Sequence, residues 1–465
     1  MTPTSAVLNT GRADLSRPHP DHLKKKILLL SPFAADQDKI RNVPRSGQYE
    51  FHFLRDNGSY KEFYNHAKSY IEDHGIDAVV SITDQYSMVH AALAEALPEK
   101  IKGPSLESAF LTMNKFYTHL NADPDPIYYR GIELDGDISQ KINALGNLQY
   151  PLFTKPAMGT GSAGTAKVRT AGELVTALNR QKESLADESM SLIPFLRHVD
   201  PEFESKYHLS LKEIALIEEF VPGTKKLVAD GYISNGEIVT FALVDNNYWE
   251  DNPGTFNSCT FPSSYPPEIR KKATEIFHDV ATKLRDRGFD HQIIDVEMFI
   301  RENGQVQIME VNGRMFGQFV DIYKNTIHNG DNFQMAIDLG LGIRPEKQTP
   351  NGKFGGNYYI STFGSGRADA YLRFELLDNI PAGVSEKFEN VTVELDRIRF
   401  KPDSILASSG SEGTCLLMAN IVGPDKASID AAAAYIRSRL LKLPELSPGA
   451  GQSGRGQGLS SPKAD

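Results

Sequence analysis

Residues 288–317 read GFDHQIIDVEMFIRENGQVQIMEVNGRMFG, and this stretch decides the fold of the surrounding chain. Two strand-like segments flank Asn303-Gly304, a pair that favours a two-residue β-hairpin turn because both residue types tolerate positive φ. Counting outward from that turn places Glu297 opposite Glu310. The sequence therefore predicts an antiparallel hairpin with two carboxylates facing each other across it.

Four oxygen-bearing side chains gather on one face of this predicted hairpin. The same counting places Asp295 opposite Asn312, and residues two positions apart on a strand share a face. Arg314 extends the cluster along the second strand. Because like charges directly opposite each other destabilise a sheet, we expect a cation between the two glutamates. Oxygen ligands suit Mg²⁺ or Mn²⁺, which makes Glu297, Glu310 and Asn312 the candidate metal ligands.

An alternative interpretation is an ordinary hairpin whose acids lie on a solvated face. The residues between the acids argue against it, because they form the apolar runs typical of buried or half-buried strands. These residues are Ile293, Ile294, Val296, Met298, Ile308, Met309 and Val311. Acids placed among such residues need a partner or a function.

Composition and charge exclude several classes of function. The chain has 465 residues and a formal net charge of −10, which argues against nonspecific binding to nucleic acid or to an anionic membrane. Its two cysteines, Cys259 and Cys415, give neither a disulfide framework nor a zinc spacing. No apolar run approaches the roughly 20 residues that span a bilayer. We therefore expect a cytoplasmic protein that binds neither nucleic acid nor membrane; a homodimer stays open.

The order of elements predicts an α/β fold with three ordered parts between two disordered ends. Residues 23–112 alternate strands with helices, which is typical of an open parallel sheet. Residues 113–344 mix strands, helices and a glycine-rich loop, and residues 345–444 have the pattern of a small α+β domain. Residues 1–22 are a polar arm without a signal-peptide core, and residues 445–465 are a Gly-, Ser- and Pro-rich tail that cannot bury a core.

Several segments carry sharper local signals. Short apolar runs predict strands at 27–30 and 78–82, and residues 60–74 have a helical pattern. Asn235-Gly236 signals a second hairpin. Residues 246–267 are rich in Asn, Pro, Ser and aromatic residues with little periodicity, so we expect a long functional loop there.

A glycine-rich segment follows a short apolar strand. Residues 155–165 read KPAMGTGSAGT, with Lys155 at their start. Its three glycines and one serine are Gly159, Gly161, Gly164 and Ser162. Backbone N–H groups of such a loop can close on phosphate oxygens, and the lysine adds a point charge. The motif is not a Walker A sequence, because its lysine precedes the loop; a plain glycine-rich hairpin loop is the alternative.

Another apolar strand ends in two acids and a turn. Residues 214–223 read IALIEEFVPG, and the acids are Glu218 and Glu219. A carboxylate at a strand end can accept a hydrogen bond from an exocyclic amine. The backbone of Phe220 and Val221 is then placed to read the rest of a purine edge. Solvated glutamates at a surface strand end are the alternative.

The succession of these features resembles the ATP-grasp superfamily of carboxylate–amine ligases. Lys115 on a predicted helix precedes Lys155 and its loop, then Glu-Glu-Phe-Val-Pro-Gly at 218–223, and then the acidic hairpin. The resemblance covers residues 24–440. Its most specific part is the Glu-x-Asn-x-Arg segment that ends at Arg314, together with the preceding acid. The local matches are to the group of L-amino acid ligases and other dipeptide-forming enzymes.

The resemblance implies a two-lobed ATP-grasp core over residues 113–344 and assigns roles within it. The residues implied to bind ATP are Lys115, Lys155, Gly159, Gly161, Ser162, Gly164, Glu218, Glu219, Phe220 and Val221. Of these, the two lysines would hold the phosphates, and one of the two glutamates would read adenine. Glu297, Glu310 and Asn312 would hold one or two Mg²⁺ ions. Arg314 would be the catalytic residue that stabilises the transferring phosphoryl group and an acyl phosphate.

Two positions depart from the family pattern. Family members often carry an acid shortly after the adenine-reading turn to grip the ribose, whereas this chain has Thr224-Lys225-Lys226. They also commonly have proline after the metal-binding asparagine, whereas this chain has Gly313. Further candidates for contact with a substrate amine are Asp84, after the strand at 78–82, and Tyr248 and Trp249 in the segment 246–267.

The sequence thus predicts an enzyme that uses ATP and Mg²⁺ to join a small carboxylate, expected to be an amino acid, to a small amine. An acyl phosphate is the expected intermediate, and ADP and phosphate are the expected products. Two alternatives stay open. One is a kinase on the same scaffold, which leaves the phosphate on its product. The other is an ATP-binding module without turnover, against which the intact acidic cluster argues.

Overall fold

The computed structural model describes residues 24–56, 58–159, 164–184, 192–222, 225–249, 252–396, 398–406 and 413–442. The two ends predicted to be disordered, residues 1–22 and 445–465, lie outside these ranges. Within them, no helix is both long enough and apolar enough to cross a membrane.

The chain forms helices and strands in the following order. The first part contains β1 (Lys25–Leu30), α1 (Ala34–Arg41), β2 (Tyr49–Leu54), α2 (Tyr60–His74), β3 (Ala78–Val80), α3 (Asp84–Ala96) and α4 (Leu106–Met113). The next contains α5 (Lys115–Asn121), β4 (Tyr129–Glu133), α6 (Ile138–Ala144), β5 (Leu152–Pro156), β6 (Ala166–Val168), α7 (Ala171–Ser184), α8 (Leu192–Val199), α9 (Phe203–Tyr207) and β7 (Ile214–Glu219). The third contains β8 (Lys225–Ser234), β9 (Glu237–Trp249), β10 (Asn252–Phe261), α10 (Pro267–Arg285), β11 (Gln292–Ile300), β12 (Val306–Asn312), α11 (Val320–Thr326), β13 (Ile327–His328) and α12 (Asn332–Gly340). The last contains β14 (Thr349–Pro350), β15 (Phe354–Thr362), β16 (Gly366–Arg367), α13 (Ile380–Lys387), β17 (Thr392–Asp396), β18 (Ile405–Leu406), β19 (Thr414–Gly423) and α14 (Lys426–Leu440).

The N-terminal part forms the predicted parallel sheet. β1 lies between β2 and β3 and pairs with both in parallel. β2 reads YEFHFL, in which apolar and polar residues alternate from Tyr49 to Phe53. This alternation is typical of a half-buried strand, and the sequence analysis missed it. After β1 the chain forms β2 on one side of it and then β3 on its other side. In open α/β sheets, ligands bind at such a change of direction, in the crevice beside the carboxyl ends of the strands, which here are those of β1 and β3. Asp84, the first residue of α3, lies at this edge.

Local capping fixes the helix predicted at residues 60–74. The Ser59 side chain accepts a hydrogen bond from the Glu62 N–H, and the Glu62 carboxylate accepts one from the Ser59 N–H. This reciprocal capping box starts α2. Gly75 ends the helix in the left-handed region, with φ of +63°.

A small antiparallel sheet forms one lobe of the core. Its strand order is β4-β7-β5-β6, and α6 and α7 cover it through a shared apolar cluster. Leu174 and Leu178 of α7 pack in that cluster with Leu152 of β5 and Ile217 of β7. The lobe therefore holds β5, which ends near Lys155, beside β7, which ends at Glu219.

A large antiparallel sheet forms the other lobe. Its order is β12-β11-β8-β9-β10-β15-β19-β17. α10 buries Phe277 against one face, and α11 buries Tyr323 against the other. The predicted α/β class is confirmed, and the strands β15, β19 and β17 extend this sheet. The domain boundary that we place at residue 345 stays a prediction.

The long loop predicted at residues 246–267 is wrong for most of its length. β9 continues to Trp249, and β10 runs from Asn252 to Phe261 in the interior of the large sheet. Asn- and Ser-rich composition usually marks loops. Here pairing with β9 and β15 on its two sides overrides that preference, with register irregularities near Phe256.

Candidate active site

The acidic hairpin forms with the predicted pairing of its acids. Glu297 lies opposite Glu310, and Asp295 lies opposite Asn312. The register then shifts between Glu297 and Met298, so that Met298 lies opposite Ile308. The pairs that matter for the site are therefore confirmed, although the register changes closer to the turn.

The turn itself differs from the prediction. The Arg301 N–H donates to the Gln305 carbonyl at 2.9 Å, which leaves three residues in the loop. Gly304 has φ of +77°, whereas Asn303 is not among the residues with positive φ. The three-residue loop alone would move the acids out of register, and the irregularity beside Met298 restores it. By contrast, Asn235-Gly236 forms the predicted two-residue turn, with φ of +52° and +76°.

Charge around the two glutamates is unevenly distributed. Burial, together with the nearby Glu310 and Asp295 carboxylates, raises the pKa of Glu297 to about 8. Burial also works to raise the pKa of Glu310, but Lys115 and Lys155 hold it below its usual value. Lys115 Nζ lies 3.0 Å from Glu310 Oε1. Glu310 is therefore the carboxylate that stays charged, and Glu297 is the one that needs a further cation.

Arg314 is held by two carboxylates from different parts of the chain. Its Nε lies 3.0 Å from Asp84 Oδ1 of α3, and its Nη1 donates to Asp295 Oδ2. Asp295 also accepts from Asn312 Nδ2 at 2.6 Å. That hydrogen bond turns the Asn312 amide so that Oδ1 is the atom left for a cation. Asp84, a candidate for the substrate amine, is instead engaged by the arginine.

A further buried acid lies beneath this arrangement, and the sequence analysis missed it. Asp230 of β8 pairs in register with Asp295 of β11 and is fully buried. Tyr323 Oη of α11 donates to one Asp230 oxygen. Burial and the neighbouring Asp295 raise the pKa of Asp230 well above its usual value. The available signal was an acid inside the apolar run of β8, the same signal that singles out Glu297.

Lys115 and Lys155 converge on the acidic hairpin from two directions. Asn114 caps α5 by accepting from the Tyr117 N–H, and this places Lys115 in the first turn of that helix. Lys115 Nζ donates to the Gly159 carbonyl at 2.6 Å. Lys155 Nζ donates to the Met309 carbonyl at 3.3 Å. Both lysines are buried, so the structure brings together these two predicted cations and the predicted acids.

Glu218 belongs to a buried charge network. Its Oε1 lies 3.0 Å from Lys155 Nζ and 3.2 Å from His119 Nε2. His119 Nδ1 lies 2.8 Å from Asp123 Oδ2. Burial opposes ionisation, but Lys155 and His119 lower the pKa of Glu218. Its carboxylate is thus already partnered, and His119 is a site residue that sequence reasoning did not find.

The other residues of the predicted adenine segment have contacts of their own. Glu219 forms an ion pair with Arg301. The centroid of the Phe220 ring lies 3.6 Å from Lys167 Nζ. The backbone N–H of Phe220 donates to the Pro151 carbonyl at 3.4 Å. The role of the Phe220 and Val221 backbone in reading a base edge stays a prediction.

The glycine-rich loop is described only at its two ends. Gly159 accepts the Lys115 hydrogen bond through its carbonyl. Gly164 has φ of +72°, and a Cβ on it would lie 3.1 Å from Pro156 Cγ, so the position favours glycine. The predicted residues Gly161 and Ser162 lie outside the described residues.

Gly313, where related sequences commonly have proline, is fixed by close packing. A Cβ at this position would lie 2.6 Å from Thr112 Oγ1 of α4 and 3.2 Å from the Phe289 ring. A larger residue would push β12 away from α4. The glycine therefore lets the chain that carries Arg314 lie directly against the N-terminal part.

The donor set fits Mg²⁺ as an ion shared with a phosphate ligand. Glu297 and Glu310 face each other, and Asn312 adds a neutral oxygen. Among the described residues, no group of three His, Cys, Asp or Glu side chains could hold a metal by itself. Mg²⁺ commonly uses one or two carboxylates and takes its remaining ligands from water and substrate phosphates, so these residues fit such a site.

Comparison with known proteins identifies the core. Residues 148–321 match the model of the ATP-grasp domain. This range includes Lys155, the adenine segment, the acidic hairpin and Arg314, whereas Asp84, Lys115 and His119 precede it. The chain contains an ATP-grasp domain. A curated relative, the formate-dependent phosphoribosylglycinamide formyltransferase of Wolinella succinogenes, is 26% identical over 235 residues, which cover 49% of this chain and 52% of the relative. The chain thus spans about half the length of the curated relative it matches.

Solved structures extend the likeness beyond that domain. The L-amino acid ligase from Bacillus licheniformis has a TM-score of 0.69 at 13% identity, covering 90% of this chain and 99% of that chain. The N5-carboxyaminoimidazole synthase from Aspergillus clavatus, in complex with ADP and 5-aminoimidazole ribonucleotide, has a TM-score of 0.60 at 14% identity, covering 90% and 99%. At these identities the likeness establishes the fold alone, and this chain shares that fold over 90% of its length.

Proposed function

We propose that this protein joins a carboxylate to an amine at the expense of ATP, through an acyl phosphate, releasing ADP and phosphate. The observation that carries the proposal is the opposed Glu297–Glu310 pair, with Lys115 against it and Arg314 at its flank. An acidic pair that needs a cation, next to several basic side chains, suits the transfer of a phosphoryl group.

The nucleotide lies between the two lobes in this proposal. The backbone at Phe220 and Val221 reads the adenine edge, while Glu218 orients Lys155 instead of contacting the base, because its carboxylate is bound by Lys155 and His119. Lys115 and Lys155 bind phosphate oxygens. Gly159, Gly161, Ser162 and Gly164 are proposed to contribute backbone N–H groups that bind phosphate oxygens.

Glu297, Glu310 and Asn312 would hold Mg²⁺, which would offset charge on the phosphate oxygens when bound. The raised pKa of Glu297 is consistent with this role, since a carboxylate crowded by other acids gains most from a cation. The remaining chemistry depends on the placement of substrates by the protein's own residues.

The reaction proceeds in two transfers. A carboxylate oxygen of the first substrate attacks the γ-phosphorus of ATP, and the bond between that phosphorus and the ADP oxygen breaks. The amine nitrogen of the second substrate then attacks the acyl carbon, phosphate leaves, and the nitrogen loses a proton. Holding the acyl phosphate beside the amine makes the second step effectively unimolecular.

Arg314 stabilises the acyl phosphate. Its Nε and Nη1 are engaged by Asp84 and Asp295, so Nη2 is the guanidinium nitrogen left to face the substrate. A planar guanidinium fixed on two sides presents its remaining donors in one direction, which a flexible lysine cannot do.

The carboxylate substrate in this proposal is an amino acid, and both substrates are small molecules. The likeness to the L-amino acid ligase structure supports this choice. Amino acid pairs should be screened for release of ADP and phosphate, with mass spectrometry of the products. Condensed products with one ADP and one phosphate each support the ligase. ADP release with the phosphate retained on the product would replace it with a kinase, and nucleotide binding without turnover on any pair would replace it with a binding module.

A further inference from the structure

Lys226 shares the face of the large sheet that carries the acidic pair. Val228 of β8 lies opposite Glu297 of β11, and Lys226 lies two residues earlier on β8, opposite Phe299. Residues two positions apart on a strand share a face. Lys226 is half-buried. Lys226 belongs to the segment Thr224-Lys225-Lys226, which stands where similar sequences often have an acid that binds the ribose.

The Lys226 ammonium has a different environment from the other cations of the site. Lys115 pairs with Glu310, Lys155 with Glu218, and Arg314 with two aspartates. Among the described residues, no carboxylate lies within ion-pair distance of Lys226 Nζ. The Nζ lies 3.8 Å from the centroid of the Tyr248 ring and 5.5 Å from that of Phe299.

In this environment the positive charge of Lys226 has no neutralising partner among the described residues. A partly desolvated ammonium is costly unless a ligand or a counter-ion accepts its hydrogen bonds. The two aromatic faces offset part of this cost through cation–π attraction, and they fix the position of Nζ. Burial lowers the pKa of Lys226 to about 8, and Glu297 opposes this effect. A preformed, unneutralised cation beside acids predicts an anionic ligand.

We propose that Lys226 binds a phosphate oxygen of the nucleotide. The proposal rests on the proposed function in taking the nucleotide to lie between the lobes. Lys226 follows Val221 by five residues and lies on the strand next to Glu297, so a nucleotide that extends from the adenine segment to the acidic pair passes over it. Arg314, by contrast, lies beside Asp84 of the N-terminal part, which places the carboxylate substrate at the far end of the site.

The chain offers a matched control for this lysine. Lys225 precedes Lys226 on β8, points to the opposite face and is exposed. Lys226→Met removes the charge and keeps an apolar stem between Tyr248 and Phe299, and Lys226→Gln provides a second variant should the methionine fail to fold. Lys225→Met removes one charge from the same strand without touching the site.

The test is calorimetric binding of adenosine, ADP and ATP without Mg²⁺ and without the other substrates. Because charged hydrogen bonds contribute about 1.5–3 kcal/mol, Lys226→Met should weaken ADP and ATP binding about tenfold or more. Adenosine affinity should stay within about twofold, and Lys225→Met should behave like the wild type. Unchanged ADP and ATP affinities, or an equal loss for adenosine, would overturn the proposal for Lys226. Failure of the wild-type protein to bind any adenine nucleotide would instead remove the proposed function itself.

Discussion

Asp84 Oδ1 lies 3.0 Å from Arg314 Nε, and this contact joins the first turn of α3 to the end of the acidic hairpin. Asp295 holds the same guanidinium through Nη1. The arginine is therefore oriented by one carboxylate from the parallel-sheet part and one from the large sheet. The N-terminal part thus completes the site, and we assign Asp84 a positioning role.

Replacement of Asp84 should affect turnover more than binding. Asp84→Ala frees one side of the guanidinium, and a misplacement of about 1 Å can cost roughly 100-fold in rate. We expect kcat to fall about 10- to 100-fold while KM for ATP stays nearly constant. Asp84→Asn keeps an oxygen acceptor for Nε and should recover part of the loss. A selective rise in KM for the amine, with kcat unchanged, would mean that Asp84 binds that substrate instead.

Arg314 itself should be intolerant of a conservative change. Arg314→Lys keeps the charge but loses the two-sided hold by Asp84 and Asp295 and the planar donor geometry. Loss of a preoriented electrostatic group commonly costs about 10²–10³ in kcat, and we expect a fall of that size. Nucleotide affinity, measured by calorimetry, should change little, because the proposal assigns nucleotide binding to Lys115, Lys155 and the adenine segment. A weakened nucleotide affinity with normal kcat would contradict the assigned role.

The two opposed glutamates should respond differently to neutralisation. Glu297→Gln removes a carboxylate whose pKa is raised to about 8 by burial and by its acidic neighbours, so the unliganded protein should melt at the same or a higher temperature. Glu310→Gln leaves buried Lys115 without its ion-pair partner, which should lower Tm by roughly 2–6 °C. Both variants should lose ligase activity. Normal activity in either would refute its assignment as a metal ligand.

Buried His90 predicts a stability change with pH that is independent of the active site. His90 Nε2 lies 2.9 Å from the Lys102 carbonyl, and burial lowers the pKa of His90 from 6.5 to about 4. As the pH falls, His90 binds a proton near pH 6.5 in the unfolded chain but only near pH 4 in the folded protein. The free energy of unfolding therefore decreases as the pH falls from about 6.5 toward 4. The loss is about 2–3 kcal/mol by pH 4.5. Thermal melts of wild type and His90→Gln should diverge over this range, and parallel curves would show that His90 does not titrate as inferred.

The parts of the site that the sequence predicts are those set by short-range geometry. The alternation of β11 and β12 fixes which acids face each other, and the charge of Glu297 and Glu310 marks them among apolar neighbours. The loop at Asn303-Gly304 is one residue longer than the sequence predicts, yet the acids pair as predicted because a register irregularity offsets the longer loop. The predicted pairing of the acids thus results from two features that compensate each other, the longer loop and the register irregularity beside Met298. The sequence analysis predicts neither of them.

The contacts that the sequence does not predict join distant segments. Nothing near Asp84 indicates that it binds Arg314, and nothing near Glu218 indicates His119 as its partner. Residues 246–249 at the end of β9 and the strand β10 have a loop-like composition, yet both strands lie in the interior of the large sheet with a paired strand on each side. Such choices depend on tertiary pairing, which overrides local preference.

The central claim is that the reaction passes through an acyl phosphate, and trapping of this intermediate with hydroxylamine tests the claim most directly. The enzyme is incubated with ATP, Mg²⁺, an accepted carboxylate and hydroxylamine, without the amine substrate, and ADP, phosphate and hydroxamate are measured together. The account predicts a hydroxamate of that carboxylate in amounts equal to the ADP and phosphate released. ADP formation only when both natural substrates are present, with no hydroxamate from any accepted carboxylate, would contradict it.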